Sequence, residues 1–505
     1  MALLLGLDFG TGGVRAGLYD LAACRMLGEQ EAAYATAYPQ PGWAEQSPTD
    51  WWQAAGAATR ALLRAAGRPE VAGICVATTA STVMACREDG TPLRPALLWM
   101  DCRAAEQADR TARSGHPVLA YAGGGDAAEW LVPKAMWLKE HEPDSYRQAG
   151  IICECLDYVN FLLAGRWVGS RMNATCKWNY DSVAARFHDD LFAELGIPEL
   201  PDKLPREIVP VGGAIGRIQA SAMEHLGLAN RPVLAQGGID AHIGMVGAAT
   251  MAPGELLMIG GTSVVQLFQL AAGQAVPGFW GPYPHALVDD HWLVEAGQVS
   301  AGSILSWYAN DMFGLDRQGM AELVEAASRI EVGGTGLLTL DFFMGNRTPY
   351  RDPHLRGTVL GLSLGHDRAD LYRSAVEGVA LGSANVLRRM GELGIDCRRI
   401  VSAGGFEKNR LWLQATVDAI GLPMELASGT NLSILGAAAC AANGAGLTSD
   451  LFAASAAVMP ATVTVEPDLT AHERYQALLE DYLEATRLLA PLSRRLAAAQ
   501  RTGHA

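Results

Sequence analysis

Two glycine-rich turns, far apart in the sequence, have the residues that a phosphate-binding loop needs. Gly10-Thr11-Gly12-Gly13 and Gly260-Gly261-Thr262-Ser263 each lie between two apolar runs that are too short for helices. This pattern predicts a β-hairpin whose turn requires positive φ. A turn without bulky side chains lets its backbone N–H groups converge on phosphate oxygens, and a threonine adds a hydroxyl. An ordinary tight hairpin explains either turn alone, but the repetition favours a nucleotide site with two opposing phosphate-binding turns.

Other residues that suit a nucleotide site stand at the ends of predicted strands. Asp8 ends the first apolar run, where its carboxylate could hold hydrated Mg²⁺. The predicted strand from Arg399 to Ala403 ends at Gly404-Gly405, and a helix follows Asn409. Strand, glycines and helix in this order open a nucleotide pocket in an α/β sheet. These turns contain no lysine of the Walker type, so metal, backbone N–H groups and Arg15 would neutralise the phosphates.

The elements that position these residues follow from the hydrophobic pattern. Val71 to Thr78 predicts a buried strand, and Pro232 to Ala235 predicts another that runs through Gly237-Gly238 to Asp240 and a small-residue helix. Further helices are predicted at 49–66, 130–141, 151–163, 300–310, 370–393, 431–442 and 473–489, the last broken at Pro491.

The length of the chain favours two large domains. Its 505 residues are 50% hydrophobic and only 18% charged, which suits sheets buried beneath helices. Pro253-Gly254 breaks the small-residue helix, so a domain boundary is expected there. We predict one domain over residues 1–250, a second over 251–490 and a tail over 491–505.

The charge and the cysteines limit the partners and the compartment. A net charge of −15 disfavours nucleic acid and anionic membranes, because either would need a basic face. The sequence has no signal segment and no apolar run long enough to span a bilayer, so we expect a cytoplasmic protein. Nine scattered cysteines fit reduced thiols. The closest pair, Cys153 and Cys155, matches no zinc-binding pattern and is expected in the core.

Two signatures identify a family that this chain resembles. Gly357 to Leu362, continued by Asp370-Leu371 and Ser374 to Glu377, agrees with the C-terminal signature of the FGGY family of carbohydrate kinases. The N-terminal signature is met in part. Lys134, Trp137, Leu138, Glu140 and His141 fit it, and Leu131 and Ala135 do not. The resemblance extends from Leu3 to about Leu489. It implies an α/β fold of two actin-like, ribonuclease-H-like domains with a catalytic cleft between them.

The resemblance also implies roles for residues in that cleft, with ATP and Mg²⁺ as cofactors. Asp240 would be the catalytic base, since a carboxylate can orient the sugar hydroxyl and accept its proton. It also stands where a helix begins and could simply cap that helix; both roles can hold together. Asp8 would hold Mg²⁺. The implied nucleotide-binding residues are Thr11, Gly12, Gly13, Arg15, Gly261, Thr262, Gly302, Ser306, Gly404, Gly405 and Asn409.

Three segments are similar to the ribulokinase-like subgroup of the family. They are Thr79 to Thr82, Cys176 to Trp178 and Glu295 to Gln298. Glycerol kinases have an Arg-Glu pair where this chain has Thr79-Ala80, so glycerol is not expected. Ala77-Thr78 departs from the subgroup, which has a carboxylate there, and this leaves xylulose or a small polyol such as erythritol as alternatives to ribulose. The implied substrate residues are Ala80, Asp101, Lys177, Asp240 and Glu295.

Two other classes of protein share this kind of fold. A non-catalytic sugar-binding regulator would be expected to lose Asp240, Asp8 or the hairpin glycines, and all are present. A filament-forming ATPase would have no use for polar sugar-site residues such as Lys177 and Glu295. We therefore expect a sugar kinase that binds ATP and a small sugar, and the resemblance further implies a homodimer.

Overall fold

The computed structural model describes residues 2–502. Short strands and helices alternate along the chain, as expected for an α/β protein. In chain order the strands are β1 Leu3–Phe9, β2 Gly13–Asp20, β3 Arg25–Ala33, β4 Glu45–Gln46, β5 Gly73–Thr78, β6 Val83–Cys86, β7 Ala96–Leu97, β8 Ile151–Glu154, β9 Gly169–Ser170, β10 Ile208–Val209, β11 Ala214–Arg217, β12 Val233–Ile239, β13 Glu255–Gly260, β14 Val264–Leu270, β15 Trp280–Pro284, β16 Trp292–Gln298, β17 Leu338–Leu340, β18 Thr358–Leu360, β19 Arg399–Gly404, β20 Met424–Ala427 and β21 Thr462–Val465.

The helices connect these strands and cover the sheets. A π-helical turn at Trp307–Met312 and short 3₁₀ segments at Pro117–Ala122 and Gly405–Lys408 accompany them. In chain order the α-helices are α1 Pro48–Ala65, α2 Ala105–Ser114, α3 Leu131–His141, α4 Pro143–Gln148, α5 Cys155–Ala164, α6 Arg171–Lys177, α7 Asp189–Glu194, α8 Leu200–Lys203, α9 Ala220–Leu226, α10 Asp240–Gly247, α11 Gly302–Ser306, α12 Arg317–Ser328, α13 Arg368–Glu392, α14 Arg410–Ile420, α15 Leu432–Gly444, α16 Leu451–Val458 and α17 Leu469–Thr502.

Two large sheets repeat one arrangement of strands. The first has the order β11-β12-β5-β1-β2-β3, and the second has the order β15-β16-β14-β13-β19-β20-β21. In the first, β1 pairs antiparallel with β2 and parallel with β5. In the second, β13 pairs antiparallel with β14 and parallel with β19. Both predicted hairpins therefore form, each within its own sheet, and the duplicated α/β fold is confirmed. The positive φ expected in their turns is wrong, because no residue in 10–13 or 260–263 adopts it.

The helices α10 and α15 pack against each other at very short range. A Cβ atom added to Gly436 would lie 1.9 Å from the carbonyl oxygen of Ile243, and one added to Gly247 would lie 2.1 Å from that of Leu432. Real side-chain atoms do not approach a carbonyl this closely, so both positions need glycine. The small residues of these two helices thus let their backbones touch.

Helix α15 also packs on the first sheet, although it follows the predicted boundary near residues 251–254. A Cβ atom on Gly6 of β1 would lie 2.8 Å from the carbonyl oxygen of Ile434, and one on Gly73 of β5 would lie 2.5 Å from that of Ala441. A single apolar cluster joins α10 and α15 to residues of both sheets, such as Ala235 and Val401. The exact boundary between the domains stays a prediction.

Part of one predicted helix is a strand. Residues 151–163 were predicted as one helix, but Ile151–Glu154 forms β8 and the helix α5 starts at Cys155. The strand pairs antiparallel with β6, with Met84 opposite Cys153. A short apolar run suits either structure, and here an available strand edge decides. Cys153 and Cys155 are buried, as predicted.

Two predicted helix boundaries also differ. The helix predicted at 300–310 begins at Gly302 and passes into a π-helical turn after Ser306. Pro491 was expected to break the last helix, but it lies inside α17. Pro491 is exposed, so water can hydrate the carbonyl group that loses its hydrogen bond. Buried Ser493 and an ion pair of 2.8 Å between Arg494 and Asp352 hold the segment after it.

The structure contains nine free cysteines, in agreement with the expected reduced thiols. Among residues 2–502, no helix is both long enough and apolar enough to cross a bilayer.

The contact between α10 and α15 leads to a prediction about stability. Gly436→Ala introduces a methyl group against the carbonyl oxygen of Ile243, and we expect a loss of about 2–3 kcal/mol in the free energy of unfolding. Gly391→Ala is the matched control, because Gly391 is also helical but a Cβ atom there meets nothing within 4 Å. The control should gain up to about 1 kcal/mol from helix propensity. Urea unfolding of both variants tests this, and equal stability would contradict it.

Candidate active site

The first hairpin presents a buried carboxylate beside its turn. Asp8 is 4% exposed and lies opposite Arg15 in the β1–β2 pairing. Its Oδ2 atom accepts hydrogen bonds from Asn431 Nδ2 at 3.0 Å and from Arg15 Nη1 at 3.4 Å. Its Oδ1 atom is buried without a hydrogen-bond partner. Burial raises the pKa of Asp8, and the contacts with Asn431 and Arg15 oppose that shift. A buried carboxylate oxygen without a partner suits a bound cation.

Asp240 is the first residue of α10, and its carboxylate is close enough to Asp8 to be affected by the charge of that residue. Burial, followed by the negative charge of Asp8, raises the pKa of Asp240 to about 7. Its Oδ1 atom accepts a hydrogen bond of 2.7 Å from the backbone N–H of Ala241, at the positive end of the helix. Its carbonyl oxygen accepts a hydrogen bond of 2.9 Å from Ser433 on α15. Since Ile239 is the N-cap residue, Asp240 is the first helical residue rather than the cap.

Three side chains hold the turn of the first hairpin by hydrogen bonds, one of which runs from the Tyr34 hydroxyl to the Gly10 carbonyl oxygen at 2.5 Å. The indole N–H of Trp99 donates to Thr11 Oγ1 at 2.9 Å, and Gln46 Nε2 donates to the Thr11 carbonyl oxygen at 2.7 Å. Gly12 faces open space, since a Cβ atom there meets nothing within 4 Å. Gly13 begins β2. Thr11, Gly12 and Gly13 therefore form a supported turn with room on its open side for a ligand.

The second hairpin meets two other glycine-containing segments at the end of β13. A Cβ atom on Gly302 would lie 2.3 Å from the carbonyl oxygen of Gly261, and one on Gly404 would lie 2.4 Å from that of Gly260. The N–H of Ala301 donates to the carbonyl oxygen of Thr262 at 2.9 Å. The structure therefore brings Gly261, Thr262, Gly302 and Gly404 together.

The other predicted nucleotide residues lie beside this group. Gly405 follows Gly404, and Ser306 lies one helical turn beyond Gly302 with an exposed side chain. Asn409 caps α14, where its Oδ1 atom accepts a hydrogen bond of 3.1 Å from the N–H of Trp412.

The predicted sugar side is an ion pair between buried Lys177 and partly exposed Glu295, and it joins the two halves of the chain. Lys177 Nζ on α6 lies 2.9 Å from Glu295 Oε2 on β16, and the hydroxyl of Tyr283 donates to the same oxygen at 3.0 Å. The ring of Trp130 lies 4.4 Å from Lys177 Nζ, close enough for a cation–π contact. Burial would raise the pKa of Glu295, but Lys177 and the surrounding positive groups outweigh it and hold the value at about 2. Glu295 is therefore ionised at neutral pH.

A second buried carboxylate fixes the loop and the helix next to this pair. Glu154 is fully buried and accepts three hydrogen bonds, from the N–H of Ser81 at 2.7 Å, Asn173 Nδ2 at 2.9 Å and Trp178 Nε1 at 2.7 Å. Ser81 follows Ala80, and Trp178 follows Lys177. Glu154 thus positions two predicted sugar-site residues at once.

Asp101 does not have the contacts expected of a residue that binds the sugar. It is fully buried, with one oxygen bound to the N–H of Ala44 at 2.7 Å and both oxygens bound to the Arg103 guanidinium. Both carboxylate oxygens are already occupied, so Asp101 holds its own loop. A contact between Asp101 and a sugar stays a prediction.

Sequence reasoning missed three residues of this region: Glu154, Tyr283 and His242. The sequence gives no sign of a role for Glu154, because it lies between Cys153 and Cys155, which are expected in the core. Tyr283 gave no signal, because its position depends on the pairing of β15 with β16. His242 could have been identified from the sequence, because it stands two residues after Asp240. The structure shows that its imidazole is 1% exposed.

Comparisons with known proteins identify the family of this chain. The N-terminal domain of the FGGY family of carbohydrate kinases matches residues 3–247, and its C-terminal domain matches residues 256–445. The chain is 31% identical to a ribulokinase from Mycolicibacterium smegmatis, over 95% of this chain and 93% of that protein. It is 30% identical to an FGGY carbohydrate kinase domain-containing protein from Xenopus laevis, over 86% of this chain and 88% of that one.

Solved structures of sugar kinases have the same fold as this chain. The xylulose kinase from Rhodospirillum rubrum is 26% identical and superposes with a TM-score of 0.87, covering 97% of this chain and 99% of that one. A glycerol kinase from Plasmodium falciparum is 19% identical with a TM-score of 0.83, covering 96% of this chain and 98% of that one, and this likeness shows the fold alone. The chain belongs to the FGGY family of carbohydrate kinases.

Proposed function

We propose that this carbohydrate kinase transfers the γ-phosphoryl group of ATP to a primary hydroxyl of a ketopentose, with ribulose as the first choice. The observation that carries the proposal is the interdomain pair Lys177–Glu295, which lies on the segments that resemble ribulokinases. Ammonium and carboxylate groups side by side suit a polyhydroxy substrate, because one donates hydrogen bonds and the other accepts them. A role in the cytoplasm and a homodimeric state stay predictions.

Asp240 would act as the base of this reaction. Phosphoryl transfer proceeds through a loose transition state, so the protein mainly positions the reactants and neutralises charge. An ionised carboxylate within hydrogen-bond reach of the sugar hydroxyl orients that group and accepts its proton as the bond to phosphorus forms. The raised pKa of Asp240, about 7, places it near the operating pH expected of a general base.

The phosphates would lie between the two hairpin turns. The backbone N–H groups of Thr11 to Gly13 and of Thr262 would donate to the phosphate oxygens, and Arg15 would add positive charge. Gly261 would leave room for the phosphates, since its own N–H donates to the carbonyl oxygen of Ser263 at 2.8 Å. Asp8 would hold Mg²⁺, directly or through its water, and the unpartnered Oδ1 atom fits that role. The ion, when bound, supplies charge neutralisation to ATP.

The sugar itself is the least constrained part of the proposal. Ribulokinases are among the similar proteins, and xylulose kinases are among the similar structures, so xylulose is the main alternative, followed by a small polyol such as erythritol. Glu295 matches the charge of Lys177, which favours a neutral sugar over a sugar acid. A non-catalytic regulator is disfavoured, because Asp8, Asp240 and the hairpin glycines are all present.

The first test is a substrate panel combined with Asp240→Asn. ADP release is measured with Mg-ATP and D- and L-ribulose, D- and L-xylulose, ribitol, erythritol and glycerol. We expect the highest kcat/KM with one ribulose and a loss of roughly 10²- to 10⁴-fold in kcat in the variant, because the amide cannot accept the proton. Asp109→Asn, at an exposed position on α2, is the matched control. Activity with xylulose or a polyol alone would refute ribulose, and no activity with any sugar would overturn the proposal.

A second prediction concerns pH. The pKa of Asp240 is raised from 3.8 to about 7, so the carboxylate is increasingly protonated, and unable to accept a proton, as the pH falls below that value. Mg-ATP offsets the charge of Asp8, but the burial of Asp240 remains, so we expect kcat/KM for the sugar to decrease on the acid side with an apparent pKa well above 3.8. A profile over about pH 5 to 8 tests this, and a flat profile would show that Asp240 does not limit the rate as a base.

A third prediction concerns the ion pair. Lys177→Met leaves the partly exposed Glu295 carboxylate without its main counter-charge, and we expect a loss of about 2 kcal/mol in stability together with a higher KM for the sugar. In the double variant Lys177→Met/Glu295→Gln the stability should largely return, while the sugar KM stays high. Urea unfolding and steady-state kinetics form the double-mutant cycle. Simple additivity of the stability changes would contradict a direct interaction.

A further inference from the structure

His242 is a buried histidine that lacks a hydrogen-bond partner. It lies in the first turn of α10, two residues after Asp240, and its imidazole is 1% exposed. Neither Nδ1 nor Nε2 has a hydrogen-bond partner among the described residues. Buried polar atoms normally have partners, because leaving them without any is costly. Both ring nitrogens are therefore available for a hydrogen bond that this structure does not show.

The nearest charged group is the free side of Glu295. His242 Nε2 lies 3.6 Å from Glu295 Oε1, which is slightly too long for a hydrogen bond. Lys177 and Tyr283 both bind the other oxygen, Oε2. Oε1 is thus the oxygen that could accept a hydroxyl of the sugar, and the histidine faces it.

The pair also spans the cleft. His242 belongs to α10, and Glu295 belongs to β16 of the second sheet. A small approach of these two elements brings the atoms within the ~3.2 Å of a hydrogen bond. Burial lowers the pKa of His242 to about 4, so the ring is neutral at pH 7 and carries one N–H. The carboxylate beside Nε2 favours the tautomer with the proton on that nitrogen.

We propose that His242 is a positioning residue of the sugar site: its Nε2–H binds Glu295 Oε1 and directs the remaining lone pair of that oxygen to a sugar hydroxyl. This inference rests on the proposed sugar-kinase function, in which Glu295 contacts the sugar. It adds a donor from α10 to the two donors, Lys177 and Tyr283, that already orient the carboxylate.

An ordinary core histidine has a different environment. His225 stacks on Trp52 and its Nε2 atom lies 2.7 Å from the Trp52 carbonyl oxygen, so its polar edge is satisfied. His242 has no such partner; it follows the predicted base by two residues on α10, and its Nε2 atom lies 3.6 Å from the predicted sugar carboxylate. The contrast makes His225 a suitable control for substitutions of His242.

The kinetic test uses three substitutions that separate the two ring nitrogens. Glutamine places its amide nitrogen near the position of Nε2, asparagine places it near Nδ1, and leucine removes both. With the sugar that the wild type phosphorylates best, we expect His242→Leu to raise the sugar KM roughly 10-fold or more, with a smaller change in kcat and an unchanged KM for ATP. His242→Gln should restore the KM to within a few-fold, and His242→Asn should not. His225→Leu should leave the KM unchanged.

A second measurement does not depend on turnover. Nitrogen NMR of ¹⁵N-histidine-labelled protein reports which ring nitrogen of His242 carries the proton, and we expect Nε2, with a shift that changes in Glu295→Gln. A proton on Nδ1, or rescue by asparagine equal to that by glutamine, would overturn the inference even if the enzyme is active. If the wild type phosphorylates no sugar, the proposed function fails, while an Nε2–H signal sensitive to Glu295 would still support the contact itself.

Discussion

The contact between α10 and α15 is the constraint on which the rest of the site depends. Both helices can touch only because Gly247 and Gly436 leave no side chain between their backbones. Asp240 begins α10, while Asn431 caps α15 and donates to Asp8 at the end of β1. The crossing of two helices thus sets the relation of the predicted base to the predicted metal ligand. Packing far from the reacting atoms therefore determines the chemistry, because a shift of one helix would separate the two carboxylates.

That arrangement also explains why the two carboxylates differ from ordinary surface acids. Burial raises the pKa values of both Asp8 and Asp240, and the negative charge of Asp8 raises the pKa of Asp240 further. Arg15 offsets this negative charge only weakly, because its guanidinium is shared: it lies 3.4 Å from Asp8 and also 3.4 Å from Glu31. The phosphate side of the cleft therefore has an excess of negative charge before a nucleotide arrives. A divalent cation relieves this excess, which makes Asp8 a reasonable place for Mg²⁺.

Local sequence patterns predicted the parts of the fold that depend on neighbouring residues. The two hairpins, the strand that ends at Gly404 and the helix capped by Asn409 follow from hydrophobic periodicity and the glycine-rich breaks, and all of them form. The positive φ expected in the hairpin turns is the part that does not occur. The errors arise where contacts with residues distant in the sequence determine the secondary structure. Ile151–Glu154 became a strand because β6 offers an edge, and the helix continued through Pro491 because that residue faces solvent. The side-chain contacts within the candidate site also depend on residues that are distant in the sequence. Periodicity gives no information on which side chains meet across a cleft, so Tyr283 and Glu154 could not be identified from the sequence.

The two sides of the cleft differ in charge balance, and this difference sorts the ligands. On the sugar side, Lys177 and Glu295 cancel each other, and Trp130 and Tyr283 surround the ammonium group with aromatic rings. A neutral sugar can exchange hydrogen bonds with such a pair without adding charge to a buried site, whereas a charged sugar would leave one group unmatched. On the phosphate side, the excess of carboxylate is unmatched until a cation binds. In the proposed function, an anionic nucleotide with its metal would bind on one side and an uncharged polyhydroxy compound on the other. Charge alone would then hold the two substrates in different places, before any contact specific to one sugar is made.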